Sequence, residues 1–236
     1  MIDVHSHIIP FVDDGSRSVD ISLEMLREEE ALGVTDVICT PHYRNGRYMT
    51  TDESVIAEFN KFKEKAKAEN ISVNLHLGRE ISCNEREKNA YIKSGKFLSL
   101  DDTYYVLLEF PFTEKTDIDE ICYEVRLMGY IPVVAHLERY HYFHDYEAVA
   151  ALRREGTLVQ VNAPSISGDG VPKEVRFTKG LLKRQLVDLV GSDIHSTRYN
   201  YMGKAFSKLE KKNREYAIKI FKENPEALLN SKKRTI

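Results

Sequence analysis

Two histidines lie one residue apart near the start of the chain, at His5 and His7. The residues before them are largely apolar, and a strand there would place both imidazoles on one face, because side chains alternate with a period of two. Imidazole is a common metal ligand, so the pair would form half of a metal site. The alternative is that either histidine is an ordinary surface or core residue, and the rest of the chain must decide.

Other histidines, aspartates and glutamates occur at, or just beyond, the ends of short apolar runs. The full candidate set is His5, His7, Asp14, His42, Glu80, Glu109, His136, Asp193 and His195. Imidazoles and carboxylates without cysteine suit Mn²⁺, Zn²⁺ or Fe²⁺, and the set fits about two or three ions if a carboxylate bridges. The alternative, a network of hydrogen-bonded carboxylates without ions, would crowd four acids together at high cost.

Arginines follow several of these candidates: Arg44 and Arg47 come after His42, Arg139 after His136, and Arg198 after His195. A guanidinium group can bind phosphate through two parallel hydrogen bonds and offset negative charge in a transition state. Arg139 is the strongest candidate for binding phosphate, because it lies in the short motif from His136 to Tyr140. For the other three, a solvated surface charge is an equal alternative.

The elements that must position these residues alternate between strands and helices. We predict strands at residues 2–5, 36–39, 73–77, 105–109, 131–135, 158–161 and 186–190. We predict helices at residues 20–32, 53–69, 84–94, 116–127, 146–155, 172–185, 202–211 and 213–223. Seven strand–helix units with apolar strands indicate an α/β fold, either a closed parallel barrel or a doubly wound sheet. In both, chemistry collects at the carboxyl ends of the strands, where the candidate ligands lie.

Composition limits the other possibilities. Charged residues make up 30 % of the 236-residue chain, apolar residues 42 %, and the net charge is −3, which gives no electrostatic case for nucleic acid. No apolar run approaches the roughly 20 residues that span a bilayer, and no leader pattern is seen, so we expect a cytoplasmic protein without membrane insertion. No linker or repeat divides the chain. We therefore expect one domain over residues 1–236, with 231–236 a frayed basic tail.

The three cysteines do not fit cysteine-based phosphate chemistry. A cysteine-dependent phosphatase needs five residues between the cysteine and an arginine, and neither Cys39, Cys83 nor Cys122 has that spacing. Their odd number and scatter suit reduced thiols in place of a disulfide framework. Cys39 is expected to pack as a small apolar residue.

An ordered set of motifs runs along the whole chain. It comprises Asp3-Val-His-Ser-His7, Asp13-Asp-Gly15, Thr40-Pro-His42, Gly78-Arg-Glu80, Leu108-Glu-Phe110, Ala135-His-Leu-Glu-Arg-Tyr140 and Ser192-Asp-Ile-His195. These motifs resemble the polymerase and histidinol phosphatase (PHP) superfamily. More narrowly, they resemble the bacterial manganese-dependent protein-tyrosine phosphatases of capsular and exopolysaccharide operons. The resemblance covers residues 1 to about 230, with no departure at a ligand position.

The resemblance implies a distorted, TIM-like (β/α)₇ barrel, the PHP fold, holding up to three Mn²⁺ ions, with iron or zinc as alternatives. The implied ligand sets are His5, His7, Glu80 and Asp193 for one ion; Glu80, Glu109 and His136 for the second; and Asp14, His42 and His195 for the third. It also implies a substrate, phosphotyrosine on the tail of a bacterial tyrosine kinase that regulates polysaccharide synthesis. Some relatives form homo-oligomers.

The hypothesis for the reaction is attack by a metal-activated hydroxide, without a covalent enzyme intermediate. His42, Glu80 and Arg139 would be its catalytic residues, with Arg139 binding phosphate or helping the phenolate depart. Two alternatives remain open at this point. One is a PHP phosphoesterase acting on a small molecule such as histidinol phosphate. The other is a non-catalytic docking module.

Overall fold

Parallel strands form the centre of the molecule. The computed structural model describes residues 1–44, 47–48, 50–83, 90–195 and 199–231. Its strands are β1 (Ile2–Ser6), β2 (Asp36–Cys39), β3 (His42–Tyr43), β4 (Asn74–Leu77), β5 (Glu80–Ser82), β6 (Tyr105–Glu109), β7 (Ile131–Val134), β8 (Leu158–Asn162) and β9 (Leu189–Gly191). They pair in two sheets, in the orders β1-β2-β4 and β3-β5-β6-β7-β8-β9.

The two sheets join into one closed barrel. β3 begins three residues after β2 ends, and β5 begins three residues after β4 ends, so each pair is one interrupted strand. The circle closes between β1 and the segment after β9, where Asp193 N donates to His5 O at 2.9 Å and His7 N donates to Ile194 O at 3.1 Å. Every strand pair is parallel. The predicted distorted (β/α)₇ barrel is therefore confirmed.

A proline lies at the first interruption and a glycine at the second. Pro41 has no backbone N–H to donate to a ladder, so the strand breaks there and resumes as β3. Gly78 lies against Leu100, whose side chain would be 2.7 Å from a Cβ at position 78. After the breaks, β3 and β5 begin with His42 and Glu80, which face each other in register. The interruptions thus place two candidate ligands side by side at the mouth of the barrel.

Helices surround the strands. They are α1 (Val19–Ala31), α2 (Asp52–Ala68), α3 (Ala90–Lys93), α4 (Ile118–Leu127), α5 (Tyr146–Arg154), α6 (Ala163–Ser167), α7 (Pro172–Lys183), α8 (Met202–Glu210), α9 (Arg214–Ile218) and α10 (Asn224–Asn230). Side-chain oxygens of Ser18, Thr51, Asp117 and Asp145 cap α1, α2, α4 and α5, as these residue types favour. Within the described residues, no helix has the length and apolar character needed to cross a membrane.

Successive residues of a strand point to opposite faces of the barrel and pack into two different apolar clusters. Val106 and Leu108 belong to a large cluster that includes helix residues such as Leu26, whereas Leu107 between them belongs to a smaller cluster. Because helices cover the outside of a closed barrel, the smaller cluster fills its interior. Leu228 of α10 completes the smaller cluster.

Some predicted boundaries were wrong. The last strand is Leu189–Gly191, not residues 186–190, because Leu186 N bonds to Leu181 O at the end of α7 and both backbone groups of Val187 bond to the hydroxyl of Tyr216. The helices α6 and α10 were not predicted. Of the predicted helix 84–94, residues 84–89 lie outside the described residues, as do residues 232–236 of the predicted tail.

Candidate metal centre

All nine candidate ligands converge at the carboxyl ends of the strands. Their nitrogen and oxygen atoms form four overlapping groups, within each of which the atoms lie within 4.8 Å of one another. The groups are His5, His7 and Asp193; His5, Glu80 and His136; His42, Glu80 and Glu109; and His7, Asp14, His42 and His195. Glu109 lies near two imidazoles, with Oε2 3.9 Å from His42 Nδ1 and Oε1 4.0 Å from His136 Nε2. Each group offers the imidazole and carboxylate ligands of a metal site.

Glu80 lies at the centre of this cluster. Its Oε2 is 3.3 Å from His5 Nε2, 3.3 Å from His7 Nε2 and 2.8 Å from His42 Nδ1, and its Oε1 is 2.8 Å from His136 Nε2. The side chain is almost completely buried. A carboxylate with both oxygens among four imidazoles is placed to bridge cations.

Four of the histidines are oriented in the same way. Each has an oxygen beside Nδ1, which leaves Nε2 directed at the other candidate ligands. The Nδ1 contacts are Gln160 Oε1 for His5 at 3.2 Å, Asp13 Oδ2 for His7 at 2.7 Å, the Tyr140 hydroxyl for His136 at 3.2 Å and the Asp193 carbonyl for His195 at 3.0 Å. His42 differs, with Nδ1 toward Glu80 and Nε2 3.5 Å from Asp14 Oδ1.

Unsatisfied polar atoms indicate that cations belong here. His42 Nδ1 and Glu80 Oε2 are 2.8 Å apart and buried, yet neither makes a hydrogen bond to a described residue. His5 Nε2 and His7 Nε2 face each other at 3.2 Å. Buried polar atoms without hydrogen bonds are costly unless another partner satisfies them. Imidazole nitrogens and carboxylate oxygens are ligands that Mn²⁺, Fe²⁺ and Zn²⁺ accept, so the residues present fit such ions.

The electrostatics of the cluster are strongly perturbed. Burial opposes protonation of His5, but Glu80 and Asp193 raise its pKa. Burial alone would raise the pKa of Glu80, but the neighbouring imidazoles lower it well below its usual range. Burial and the charge of Glu80 raise the pKa of Glu109 to about 7, and burial lowers that of His136 to about 4. Without metal, protons must balance these charges, so ion binding is expected to displace protons.

Sequence reasoning missed Asp13 as a functional residue. Its Oδ2 accepts from His7 Nδ1 at 2.7 Å and from His42 N at 2.9 Å, and its Oδ1 accepts from Gly15 N at 2.9 Å. The loop wraps closely around His7, because a Cβ on Gly15 would lie 2.5 Å from the Cβ of His7. Asp13 thus orients two histidines. The Asp13-Asp14-Gly15 motif drew attention to this loop, but the sequence could not show that Asp13 would hydrogen-bond to the histidine ligands.

Gln160 and Asn162 on β8 were also missed. Gln160 Oε1 accepts from His136 N at 2.7 Å, and Gln160 Nε2 donates to Asn162 Oδ1 at 2.9 Å. Asn162 Nδ2 then donates to Asp193 Oδ2 at 2.8 Å. Two polar residues two positions apart in an otherwise apolar strand were the available signal. They fix the orientation of ligands on both sides of β8.

Two candidate ligands have left-handed backbone conformations. His136 has a φ of 31° and Asp193 a φ of 50°. Such angles are costly for residues other than glycine and persist where the surroundings enforce them. Each is the second residue after the end of its strand, β7 or β9, so the turn there directs its side chain into the cluster.

The structure places the predicted arginines at different distances from the cluster. Arg139 Nη1 donates to Asp193 Oδ2 at 3.4 Å, so its guanidinium is adjacent to the ligands. Arg44 is exposed, and its charge acts on the Glu109 carboxyl. Arg47 is exposed at the rim, 5.0 Å from the ring centre of Tyr48. Arg198 lies outside the described residues.

The chain is similar over nearly its full length to known proteins. The tyrosine-protein phosphatase YwqE of Bacillus subtilis (strain 168) is 32 % identical over 236 residues, covering 98 % of this chain and 92 % of that protein. The tyrosine-protein phosphatase CpsB of Streptococcus pneumoniae is 31 % identical over 241 residues, covering 97 % and 98 %.

A solved structure from the pair YwqE and CpsB, described as unique metal-dependent tyrosine phosphatases, superposes with a TM-score of 0.88 at 31 % identity. It covers 99 % of this chain and 96 % of that one. A family model described as capsular polysaccharide synthesis, CpsB/CapC, matches residues 1–230. The resemblance stated from the motifs is thereby confirmed, and this chain belongs to the CpsB/CapC family of capsular polysaccharide synthesis proteins.

Proposed function

We propose that this chain is a metal-dependent protein-tyrosine phosphatase of capsule or exopolysaccharide synthesis. The observation that carries the proposal is the convergence of nine histidine, aspartate and glutamate side chains on one buried cluster. The names of the relatives supply the substrate class. The match over residues 1–230 also supports the prediction of one domain over residues 1–236.

The nine ligands would hold up to three divalent ions, with Mn²⁺ the proposed metal and iron or zinc the alternatives. When bound, such ions polarise phosphoryl oxygens and lower the pKa of water toward neutrality. Glu80 and His42 would hold ions at the centre of the cluster, where Glu80 Oε2 and His42 Nδ1 lie 2.8 Å apart. Asp13, Gln160 and Asn162 would keep the ligand side chains oriented.

Arg139 would bind the phosphate of the substrate. Its Nη1 contacts Asp193, and its side chain remains partly exposed at the mouth of the barrel. A guanidinium has five N–H donors, so one contact to Asp193 leaves others to meet phosphate oxygens. Arg44 and Arg47 would add positive charge at the rim. A phenolate has a pKa near 10, so its departure requires no strong general acid.

The cysteines do not supply a competing nucleophile. Cys39, Cys83 and Cys122 are buried. Burial raises the pKa of the Cys39 thiol and raises that of Cys122 to about 12. The thiolates of Cys39 and Cys122 are therefore disfavoured, which supports a reaction without a covalent intermediate at either residue. Reduced buried thiols also support the proposed cytoplasmic location.

The proposed substrate is phosphotyrosine on the tail of a bacterial tyrosine kinase, as the motifs imply. The test compares kcat/KM of the Mn²⁺-loaded protein on a phosphotyrosine peptide and on histidinol phosphate, with EDTA-treated protein as the control. We expect the peptide to be hydrolysed faster and EDTA to abolish the activity. Faster hydrolysis of histidinol phosphate would assign a small-molecule phosphoesterase. Metal binding without any turnover would assign a docking module.

A further inference from the structure

An aromatic ring lies directly beneath the arginine at the site. Phe112 comes three residues after Glu109, and Arg139 comes three residues after His136, so both follow neighbouring strands at the mouth of the barrel. The guanidinium carbon of Arg139 lies 4.0 Å from the centre of the Phe112 ring. This distance is within the range in which a cation is attracted to an aromatic face.

The Phe112 ring is itself held in place. It lies nearly parallel to the ring of Tyr140, at 15° with centres 5.8 Å apart, and its centre is 5.5 Å from that of His136. Tyr140 is fully buried, and its hydroxyl accepts a hydrogen bond from Phe110 N at 3.0 Å. Phe112 is 36 % exposed, so the ring is fixed from below and open at the mouth.

These contacts limit where the guanidinium can go. One side of Arg139 meets the Phe112 ring, and its Nη1 meets Asp193 Oδ2 at 3.4 Å. A long arginine side chain otherwise loses substantial rotamer freedom when it binds a ligand. A ring that already orients the guanidinium reduces that loss when phosphate arrives.

We infer that Phe112 is a positioning residue that holds Arg139 in the orientation that binds phosphate. The inference rests on the proposed function, because it takes a phosphate group as the ligand of Arg139. Phe112 acts through Arg139 and does not itself contact the reacting atoms. A leucine at position 112 keeps the apolar bulk and removes the aromatic face.

The test is a double-mutant cycle with inorganic phosphate binding to the Mn²⁺-loaded protein as the first measurement. Phe112→Leu is expected to weaken phosphate binding about 3- to 10-fold, the range for an exposed to partly desolvated cation–aromatic contact. In an Arg139→Ala background the same substitution should have no further effect, because the two residues act as one unit. Phe112→Tyr should restore binding to within about 2-fold, since the aromatic face is kept.

The controls separate positioning from folding and from the proposed function. Tyr123→Leu removes an exposed aromatic neighbour of Arg126 on α4 and should leave phosphate binding unchanged. If Phe112→Leu does not fold, Phe112→Met gives the same comparison, and metal content is measured for each variant. The inference would be overturned if Phe112→Leu weakened phosphate binding as much in the Arg139→Ala background as in the wild type. It would also be overturned if Phe112→Leu did not weaken phosphate binding at all. Absence of phosphotyrosine hydrolysis by the wild type would reject the proposed function instead, while phosphate binding still decides the role of Phe112.

Discussion

At the residue scale, Glu80 is the side chain that most contacts in the cluster share. Both of its oxygens lie among imidazoles, and it is almost completely buried. Its first neighbours in the register are His42 on β3 and Leu107 on β6. The backbone thus fixes where the carboxylate lies before any ion binds.

Glu80→Gln keeps the size of the side chain and removes its charge. We expect hydrolysis of a phosphotyrosine peptide to fall about 10³-fold or more, because the loss of charge stabilisation in a metal site costs several kcal/mol. Bound metal, measured by elemental analysis, should fall as well. Glu24→Gln on the exposed face of α1 is the matched control, and equal rates in both variants would remove Glu80 from the site.

Asp13→Asn tests a residue that orients ligands without joining the cluster. The amide cannot accept from both His7 Nδ1 and Gly15 N as the carboxylate does, so His7 and His42 should lose their alignment. We expect Mn²⁺ affinity, measured by calorimetric titration, to fall about 10- to 100-fold, as for other partners of metal ligands. Unchanged affinity would show that Asp13 has no orienting role.

The sequence predicted the candidate metal ligands but not the residues that orient them. Histidines and acids at strand ends could be recognised because parallel strands bring those ends together, and all nine predicted ligands do converge. Asp13, Gln160 and Asn162 could not be chosen, because their roles depend on which neighbour each atom faces. The ring of Phe112 beneath Arg139 joins two loops that are separate in sequence, so no local pattern indicated it.

At the element scale, the interrupted strands β2–β3 and β4–β5 explain how the site is built. The sequence predicted β2 and β4 but not β3 and β5, because a strand of two or three residues has no periodic pattern to recognise. Arg79 stabilises the start of β3. Its Nη1 donates to His42 O at 2.8 Å and its Nε donates to Asp52 Oδ1 at 3.2 Å, and its Nη2 donates to Thr50 O. The side chain is completely buried.

Arg79→Met should therefore destabilise the fold and displace His42. The substitution leaves the carbonyl oxygens of His42 and Thr50 without their donor and the partly exposed Asp52 without its cation, which together cost about 3–5 kcal/mol. For a chain of this size that corresponds to a fall in melting temperature of roughly 6 to 20 °C. Exposed Arg27, which pairs with Glu69, provides the control, and Arg27→Met should lower the melting temperature by at most about 2 °C. Equal falls in the two variants would contradict the role of Arg79.

At the scale of the whole molecule, the two ends of the barrel differ. The ligands lie at the carboxyl ends of the strands, whereas His76 lies toward the opposite end, where its Nε2 is 3.1 Å from Asp36 Oδ1 and its Nδ1 is 3.0 Å from Asp101 Oδ2. Burial opposes protonation of His76, but the carboxylates of Asp101 and Asp36, which accept from its ring nitrogens, raise its pKa above the usual value. His76 thereby ties β4, β2 and the 3₁₀ turn Leu100–Asp102 together.

This pairing gives stability a defined pH dependence. Because the folded-state pKa of His76 is raised, its stabilisation is complete below the unfolded value of about 6.5 and is lost as the pH rises through the folded value. The difference in melting temperature between wild type and His76→Gln should therefore be larger near about pH 5.5 than near about pH 8.5. Comparing the two proteins at each pH cancels the titration of the other histidines. A difference that grows with pH would contradict the assignment.

The barrel as a whole was predictable because seven strand–helix units with apolar strands leave few alternatives, and the motifs selected the closed form. The exact ends of its strands could not be predicted, because side chains from distant helices bind backbone groups that would otherwise extend a strand. The hydroxyl of Tyr216, for example, binds both backbone groups of Val187. The closure at Asp193 and His5 makes the first and last strands neighbours, which brings the residues that follow them together at the candidate metal centre.

The most direct measurement is a titration of metal-free protein with Mn²⁺ while hydrolysis of a phosphotyrosine peptide is followed. The wild type should be inactive without metal, and its rate should rise with Mn²⁺ occupancy until the cluster is filled. Glu80→Gln should stay near the background rate, whereas Cys39→Ser should match the wild type. Hydrolysis that is independent of added metal, or that disappears in Cys39→Ser, would contradict a metal-dependent phosphatase.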